Sequence, residues 1–230
     1  MLTLDQLFLQ QDDFSLEAHL SLAPGSRMAV IGPSGAGKST LLSAIAGFLA
    51  PTRGRILWQG TDLSPIPPGA RPLSILFQDQ NLFPHLTVAQ NIGLGISPSL
   101  RLTAADRQRI AQALERTGLA GLEARKPAQL SGGQQSRVAL ARALLRARPI
   151  LLLDEPFAAL GPALKAEMLA LVAELADEQG TTLLMVSHDP QDARVLTPQA
   201  VLVAEGRVAP PVPTGPLLDN PPPALAAYLG

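Results

Sequence analysis

The sequence predicts an α/β fold with a mostly parallel core sheet, an N-terminal antiparallel β layer and an inserted helical region. Short apolar runs at residues 150–153 and 182–186 end in polar residues, as buried parallel strands do. Residues 2–9 and 14–22 alternate between apolar and polar side chains, which is typical of half-exposed strands. Residues 79–130 carry helix-capping signals instead, so we expect a helical insertion there.

Composition limits the possible classes of protein. The chain has 230 residues, 47% of them hydrophobic, which is enough for one large domain or a domain with a subdomain. A net charge of -1 argues against a broad nucleic-acid surface, and the absence of cysteine excludes disulfides and thiolate metal sites. The N-terminus has no basic segment before an apolar stretch, so we expect no signal peptide. The apolar run at 41–50 is too short for a bilayer, which needs roughly 20 residues. We therefore expect a soluble intracellular protein that reaches a membrane only through a partner.

Residues 32–40 fit the motif G-x-x-x-x-G-K-[ST], which is typical of a phosphate-binding P-loop. An apolar run precedes the motif and a helix-forming run follows it, which disfavours a chance match in a glycine-rich turn. The glycines let backbone N–H groups approach a polyphosphate at a helix N-terminus. We expect Lys38 to contact the β- and γ-phosphates and Ser39 to bind Mg²⁺. The predicted nucleotide-binding residues of this loop are Gly32, Pro33, Ser34, Gly35, Ala36, Gly37, Lys38, Ser39 and Thr40.

Turns, caps and apolar runs predict the remaining elements. Thr87 can cap a short helix, Thr103 and Asp106 form a capping box, and Pro162 suits the first turn of a helix. Prolines exclude the C-terminal tail from the interior of a sheet. We expect strands at 54–58 and 73–77, a loop at 64–72, helices at 87–92, 103–117, 131–148 and 162–179, a hairpin at 201–208, and a proline-rich tail at 210–230.

Several predicted strands end in polar residues that suit phosphate chemistry. Ligands of parallel sheets bind beyond the carboxyl ends of the strands, and four strands bring Gly32, Gln78, Asp154 with Glu155, and His188 to that edge. Asp154 fits a carboxylate that orders Mg²⁺, and Glu155 fits the general base for an attacking water. The alternative for adjacent acids is a helix cap or a surface ion pair, and a strand-end histidine alone is more often structural. Their shared edge favours catalysis, with His188 contacting the γ-phosphate.

A second glycine-bearing helix N-terminus begins at residue 131 and is formed by Ser131, Gly132, Gly133 and Gln134. It can bind an anion for the same reason as the P-loop helix. The alternative is an ordinary N-cap by Ser131. One nucleotide rarely needs two such sites from one chain, so a second copy of the chain is a candidate to supply this one in trans.

Together these segments resemble the ATP-binding subunits of ABC transporters, in the order typical of that family. The resemblance implies a P-loop NTPase fold, ATP and Mg²⁺ as ligands, and a homodimer in the ATP-bound state. It implies that Gln78 contacts the metal or water and senses the permease, that Glu155 is the catalytic base, and that His188 is the switch histidine. It also implies integral membrane permease subunits as partners, with a periplasmic solute-binding protein as an indirect partner and no nucleic acid. The location implied is the cytoplasmic face of a bacterial inner membrane.

The same resemblance divides the chain into parts. Residues 1–78 and 150–209 are expected to form a RecA-like core with the antiparallel β layer. Residues 79–149 are expected to form a helical subdomain that carries the second glycine motif, and 210–230 the tail.

Residues 77–95 are further similar to the ATPases of thiamine importers, which implies uptake of thiamine or thiamine pyrophosphate. Import of another small solute, such as a polyamine, a metal or an anion, is the alternative. Apolar residues at 82–86 suggest a docking surface for a permease helix, against the alternative that Leu82 and Phe83 pack inward.

Three positions depart from the family pattern. The loop at 10–13 reads Gln-Gln-Asp-Asp without the usual aromatic residue that stacks on adenine, and the flanking Phe8 and Phe14 are expected in the core. Gln135 stands where a basic residue is usual, and Gly161 stands where an Asp is usual.

Two other classes of function are less consistent with the sequence. A P-loop GTPase or small-molecule kinase lacks the Leu-Ser-Gly-Gly-Gln stretch at 130–134, and the chain has no Asn-Lys-x-Asp guanine motif. Non-transport ABC ATPases carry zinc cysteines, long coiled-coil insertions or two fused cassettes, none of which the sequence contains.

Overall fold

The computed structural model describes residues 1–77, 79, 81–158 and 160–229, and in that part of the chain eleven strands form one sheet. The strands are β1 (Leu2–Gln11), β2 (Phe14–Leu22), β3 (Arg27–Ile31), β4 (Arg53–Trp58), β5 (Thr61–Asp62), β6 (Leu73–Leu76), β7 (Ile150–Asp154), β8 (Thr182–Val186), β9 (Gln199–Ala204), β10 (Arg207–Val208) and β11 (Val212–Pro213). The helices are α1 (Lys38–Ala46), α2 (Val88–Gly93), α3 (Ala104–Arg116), α4 (Gly132–Leu145), α5 (Pro162–Gln179), α6 (Pro190–Leu196), α7 (Thr214–Asp219) and α8 (Pro223–Leu229).

The core of the sheet is parallel, in the order β9-β3-β8-β7-β6. Side chains alternate between its two faces. One face, with Leu152 and Leu184, packs against α1, and the other, with Leu151 and Leu183, packs against α4 and α5. Burial on both faces explains the continuous apolar strands in the sequence and confirms the predicted α/β fold with a mostly parallel sheet.

The N-terminal layer is antiparallel, as predicted, and continuous with the core sheet. β1 pairs with β2 and β4 in antiparallel ladders. The two-residue strand β10 then pairs with β2 on one side and β9 on the other. Trp58 at the end of β4 is 8% exposed and packs in the core.

The inserted helices α2, α3 and α4 bury their own apolar cluster, which includes Val88, Ile110 and Val138. Thr87 and Thr103 cap α2 and α3, as predicted, and the cap at Thr87 is also a full capping box, with Gln90. Helix α4 ends at Leu145, three residues earlier than expected. Within the described part of the chain, no helix has both the length and the apolar character needed to cross a membrane.

The C-terminal segment is more regular than its prolines suggest. Among the described residues, strand β11 pairs only with the start of β9, which is consistent with the exclusion of proline from a sheet interior. Helices α7 and α8 follow, and Leu218 and Leu225 pack against Ala29 and Ile31 of β3. The tail is therefore folded against the strand that leads into the P-loop.

A buried arginine fixes the C-terminal end of α1. Arg71 is 1% exposed, and its Nη1 donates to the carbonyl oxygens of Ala44 and Ile45 at 2.8 and 2.7 Å. Its Nε donates to the Ile66 carbonyl at 2.8 Å, and Nη2 to the Ser64 carbonyl at 3.3 Å. A cation at this end complements the helix dipole and satisfies carbonyls that have no intrahelical partner.

We expect Arg71→Leu to lower the free energy of unfolding by about 3 kcal/mol, because buried carbonyl groups lose their donors. Chemical denaturation measures this change. The matched control is Arg207→Leu, since the Arg207 side chain is 81% exposed. Equal midpoints for the two variants would show that Arg71 does not hold α1 in place.

Candidate functional site

The P-loop turns sharply out of β3 between two close neighbours. Gly32 has φ +151°, and a Cβ at this position would collide with the Val203 carbonyl of β9. Gly37 has φ +100°, and a Cβ there would collide with the Phe14 ring. Both positions therefore require glycine. Phe14 and Phe8 are both half-buried. Phe14 packs against the core, as expected, and borders the P-loop, whereas the ring centroid of Phe8 lies 4.5 Å from the Arg53 guanidinium carbon.

Lys38 is the buried cation of this loop. Its Nζ donates to the carbonyl oxygens of Gly32 and Pro33, both at 2.8 Å, and the side chain is held within the loop. Burial lowers the pKa of Lys38, and the nearby Glu155 and Asp154 partly oppose that effect. Because desolvation disfavours the charged form of Lys38, an anion such as a phosphate would stabilise this ammonium group.

Ser39 and Asp154 meet beside Lys38. The Ser39 hydroxyl donates to Asp154 Oδ1 at 2.9 Å, which joins the first turn of α1 to the end of β7. Desolvation raises the pKa of Asp154, and the bond from Ser39 partly offsets this shift. A hydroxyl and a carboxylate at this spacing are the oxygen ligands that Mg²⁺ prefers alongside phosphate and water.

Glu155 follows β7 in a left-handed backbone conformation with φ +46°. Its N–H donates to the Val186 carbonyl of β8 at 3.0 Å, which stabilises this uncommon conformation. The turn brings Glu155 Oε2 to 3.3 Å from Nδ1 of His188, which follows β8. A carboxylate and an imidazole are thus paired at the end of the strands, with the His188 side chain 53% exposed.

The second glycine motif, residues 131–134, lies at the N-terminus of α4, apart from the P-loop. Ser131 is the N-cap of α4, where its Oγ accepts from the Gln134 N–H at 3.3 Å and Gln134 Oε1 accepts from the Ser131 N–H at 3.0 Å. A Cβ at Gly133 would collide with Leu164, so this end of α4 packs closely on the start of α5. Gln135 Nε2 donates to the carbonyls of Pro127 and Leu130, so an amide holds the preceding turn where a basic residue is usual.

The described residues bring together Lys38, Ser39, Asp154, Glu155 and His188. The other predicted P-loop residues, Gly32 to Gly37 and Thr40, lie in the same loop and first turn. Within the described part of the chain, no hydrogen bond joins residues 131–134 to that loop. Gln78 lies outside the described residues.

The sequence interpretation missed two residues at this edge. Lys165 of α5 pairs with Asp189 and Asp192, which follow His188. Tyr228 of α8 donates its hydroxyl to the His188 carbonyl at 3.0 Å, with its ring centroid 5.9 Å from Lys38 Nζ. No local spacing signals either residue, because each comes from an element distant in sequence.

A lateral groove of about 790 Å³ lies beside the helical insertion. Its lining includes Phe48, Phe77, Phe83, His85, Arg142 and Arg146. Phe48 is 58% and Phe83 46% exposed, whereas Leu82 packs into the interior. Phe83 was therefore correctly predicted as exposed, and inward packing holds for Leu82 alone.

The buried side chain of Asn91 fixes the loop on the rim of this groove. Asn91 Oδ1 accepts from the Phe83 N–H at 2.8 Å. Its Nδ2 donates to the carbonyls of Phe83, Leu86 and Thr87 at 3.0 to 3.2 Å. Phe83 and His85 are thus presented on a rigid loop, in an edge-to-face pair with ring centroids 6.0 Å apart.

Comparisons with known proteins agree with this geometry. Residues 16–158 match the ABC transporter family. The chain is 69% identical over its whole length, and the whole of the relative, to the thiamine import ATP-binding protein ThiQ of Cereibacter sphaeroides. It is 61% identical to ThiQ of a Ruegeria species, again over both full lengths. It is 50% identical to ThiQ of Yersinia pseudotuberculosis, covering 96% of this chain and 93% of the relative.

Two solved structures have the same architecture. One is a dimeric structure of MJ0796, described as a bacterial ABC transporter cassette, with a TM-score of 0.82 at 29% identity. The other is a dimeric post-hydrolysis state of MJ0796 bound to ADP and phosphate, with a TM-score of 0.81 at 30% identity. Each comparison covers 93% of this chain and 99% of the other.

Proposed function

The chain belongs to the ABC transporter family, and on that premise we propose that it binds and hydrolyses ATP to power the import of thiamine. Relatives named as thiamine import ATP-binding proteins match it over the full length at 61 and 69% identity. The match therefore includes the loop on the rim of the lateral groove as well as the motifs common to the family.

Two side-chain contacts at the strand ends support the proposal. Ser39 bonds to Asp154 beside Lys38, and Glu155 pairs with His188. Lys38 exchanges its carbonyl partners for the β- and γ-phosphates of ATP. Ser39 and Asp154 would hold Mg²⁺, which would supply positive charge that offsets the charge of the phosphates. Gln78, outside the described residues, is proposed to contact that metal or the attacking water.

Hydrolysis then depends on Glu155 and His188. A water oxygen attacks the γ-phosphorus, the bond from that phosphorus to the bridging oxygen of ADP breaks, and Glu155 accepts the proton of the water. His188 fixes the Glu155 carboxylate from one side and contacts the γ-phosphate from the other. The left-handed turn at Glu155 positions its carboxylate for this role before ATP arrives.

We propose that the second anion site completes the first in trans. Residues 131–134 present the N-terminus of α4 to solvent, with Ser131 and Gly132 exposed. A helix N-terminus favours a negative ligand, and the P-loop is a second such end in the same chain. Two chains arranged head to tail place Ser131 to Gln134 of one against the γ-phosphate held by the other. Hydrolysis is thereby confined to a dimer.

The lateral groove is the proposed docking surface for the permease. It combines exposed aromatic rings at Phe48 and Phe83 with the cations Arg142 and Arg146, and Asn91 holds its rim rigid. An apolar helix with an acidic or carbonyl-rich end is complementary to this lining. Docking there places the chain on the cytoplasmic face of the inner membrane, and a periplasmic solute-binding protein acts indirectly through the permease. Residues 79–149 then form the helical subdomain that transmits the permease contact to the core.

We expect Lys38→Ala to abolish useful ATP binding, because the charge that meets the phosphates is lost. Glu155→Gln should retain ATP binding and lower kcat by about 10²-fold or more, because an amide cannot accept the proton. Glu155→Gln should also accumulate an ATP-bound dimer. Steady-state ATPase assays, nucleotide titration and light scattering measure these three effects. Wild-type turnover by Glu155→Gln would remove Glu155 as the base.

If the lateral groove docks the permease, substitutions there should abolish thiamine uptake and leave ATPase activity in place. In a strain that lacks the wild-type gene, the Phe83→Glu, His85→Glu double variant should fail to restore thiamine uptake. Its ATPase rate as a purified subunit should stay within about twofold of wild type, because neither side chain contacts the phosphate edge. The control is Val195→Glu, at an apolar side chain 60% exposed elsewhere. Normal uptake by the double variant would exclude this groove. Failure of the wild-type gene to restore thiamine uptake would exclude thiamine as the solute.

A further inference from the structure

A partly buried ion-pair cluster connects α5 to the segment that carries His188. Lys165, in the first turn of α5, lies 2.5 Å from Asp189 Oδ2 and 2.8 Å from Asp192 Oδ1. The three side chains are 18, 32 and 10% exposed, respectively. Burial opposes protonation of Lys165, but the bonds to both carboxylates raise its pKa on balance. The bond from Lys165 in turn lowers the pKa of Asp189. The cluster thus favours the charged forms of Lys165 and Asp189.

This cluster holds the chain on both sides of His188. Ser187 precedes His188, and its hydroxyl donates to Asp192 Oδ2 at 2.6 Å. The N–H of Asp189, which follows His188, donates back to the Ser187 hydroxyl at 3.1 Å. Asp189 also caps α6 by accepting from the Gln191 N–H at 2.9 Å. The backbone of His188 is therefore anchored before and after the residue, while its ring extends to Glu155.

Lys165 also lies close to the segment where the chain departs from its family. Helix α5 begins after Gly161, whose N-cap position has no side-chain hydrogen bond. Residue 161 carries no carboxylate, and the first turn of α5 is connected to the segment that follows β8. That connection is the Lys165 ammonium, one turn further along the helix.

We propose that Lys165 is a positioning residue for ATP hydrolysis, holding the His188 segment against α5 so that His188 meets Glu155. This inference rests on the proposed roles of His188 and Glu155. If Lys165 is removed, Asp189 and Asp192 lose the cation that holds both of them to α5, and the segment that carries His188 is no longer fixed against that helix. Lys38, Ser39 and the P-loop backbone make no contact with Lys165 among the described residues, so ATP binding is retained.

The test compares Lys165→Met with Lys165→Arg. Lys165→Met should lower kcat for ATP by about tenfold or more, since small displacements of catalytic groups are costly, while KM changes by less than about threefold. Lys165→Arg keeps the charge and should recover most of kcat. The matched control is Arg194→Met, which removes an ion pair from the outer side of α6 to Asp219 and should leave kcat unchanged.

A second variant keeps the test decisive if Lys165→Met folds poorly. Lys165→Met with Asp189→Asn leaves no unpaired charge at 189 and retains an N-cap residue there. It should fold with a melting temperature near wild type and still show the lower kcat. A wild-type kcat in this double variant would overturn the proposal, even if the melting temperature fell.

The imidazole of His188 gives a direct structural readout. The chain has three histidines, His19, His85 and His188, so their ring resonances can be assigned by single substitutions. In Lys165→Met, the His188 resonance should shift while those of His19 and His85 stay in place. An unshifted His188 resonance together with a wild-type kcat would show that the cluster serves stability alone.

If Glu155→Gln were active, the proposed site itself would fail. An inactive Glu155→Gln with an unaffected Lys165→Met would contradict only the inference about Lys165.

Discussion

The hydrogen bond between Ser39 and Asp154 is the contact on which the rest of the site depends. It joins side chains 115 residues apart in the chain, at 2.9 Å. The contact exists only because β3, β8 and β7 run parallel and in register, with Val30, Val186 and Asp154 at the same level across the sheet. Any slip of one strand would separate the phosphate-binding loop from the carboxylates. The buried apolar strands thus determine where the chemistry takes place.

Charged side chains gather at this edge of the sheet, although the strands that lead to it are apolar. Lys38, Asp154 and Glu155 lie close together where the strands end, and burial shifts the pKa of Lys38 downward and that of Asp154 upward. Both shifts reflect desolvation of charges that lack a full set of partners in one chain. In the proposed function, a polyphosphate with its metal would supply partners for these charges, and His188 and Glu155 would act on the bound phosphate.

Much of this arrangement could be predicted from the sequence, because local signals were strong. The bounds of α5 follow from Pro162 and Gly180, and those of β8 from an uninterrupted apolar run.

The C-terminal helices were missed, since the prolines were interpreted only as excluding sheet, whereas Pro223 begins α8. The position of Phe14 against Gly37 was missed because the packing of an aromatic ring depends on tertiary structure. The Lys165 cluster joins residues 24 positions apart on different elements, and no periodicity reports such a contact. The role of Gln78 stays a prediction from resemblance.

In the proposed head-to-tail dimer, the two anion sites of one chain serve different nucleotides. The chain contains no cysteine, so single cysteines at the exposed positions Ser34 and Ser131 can be crosslinked without background. The most direct measurement mixes Ser34→Cys and Ser131→Cys chains, both carrying Glu155→Gln, with a short thiol-reactive crosslinker. We expect a covalent heterodimer that forms with ATP and not without it, and none when Ser131→Cys is replaced by Ser21→Cys on the antiparallel layer. Equal crosslinking with and without ATP, or none between positions 34 and 131, would contradict the head-to-tail dimer.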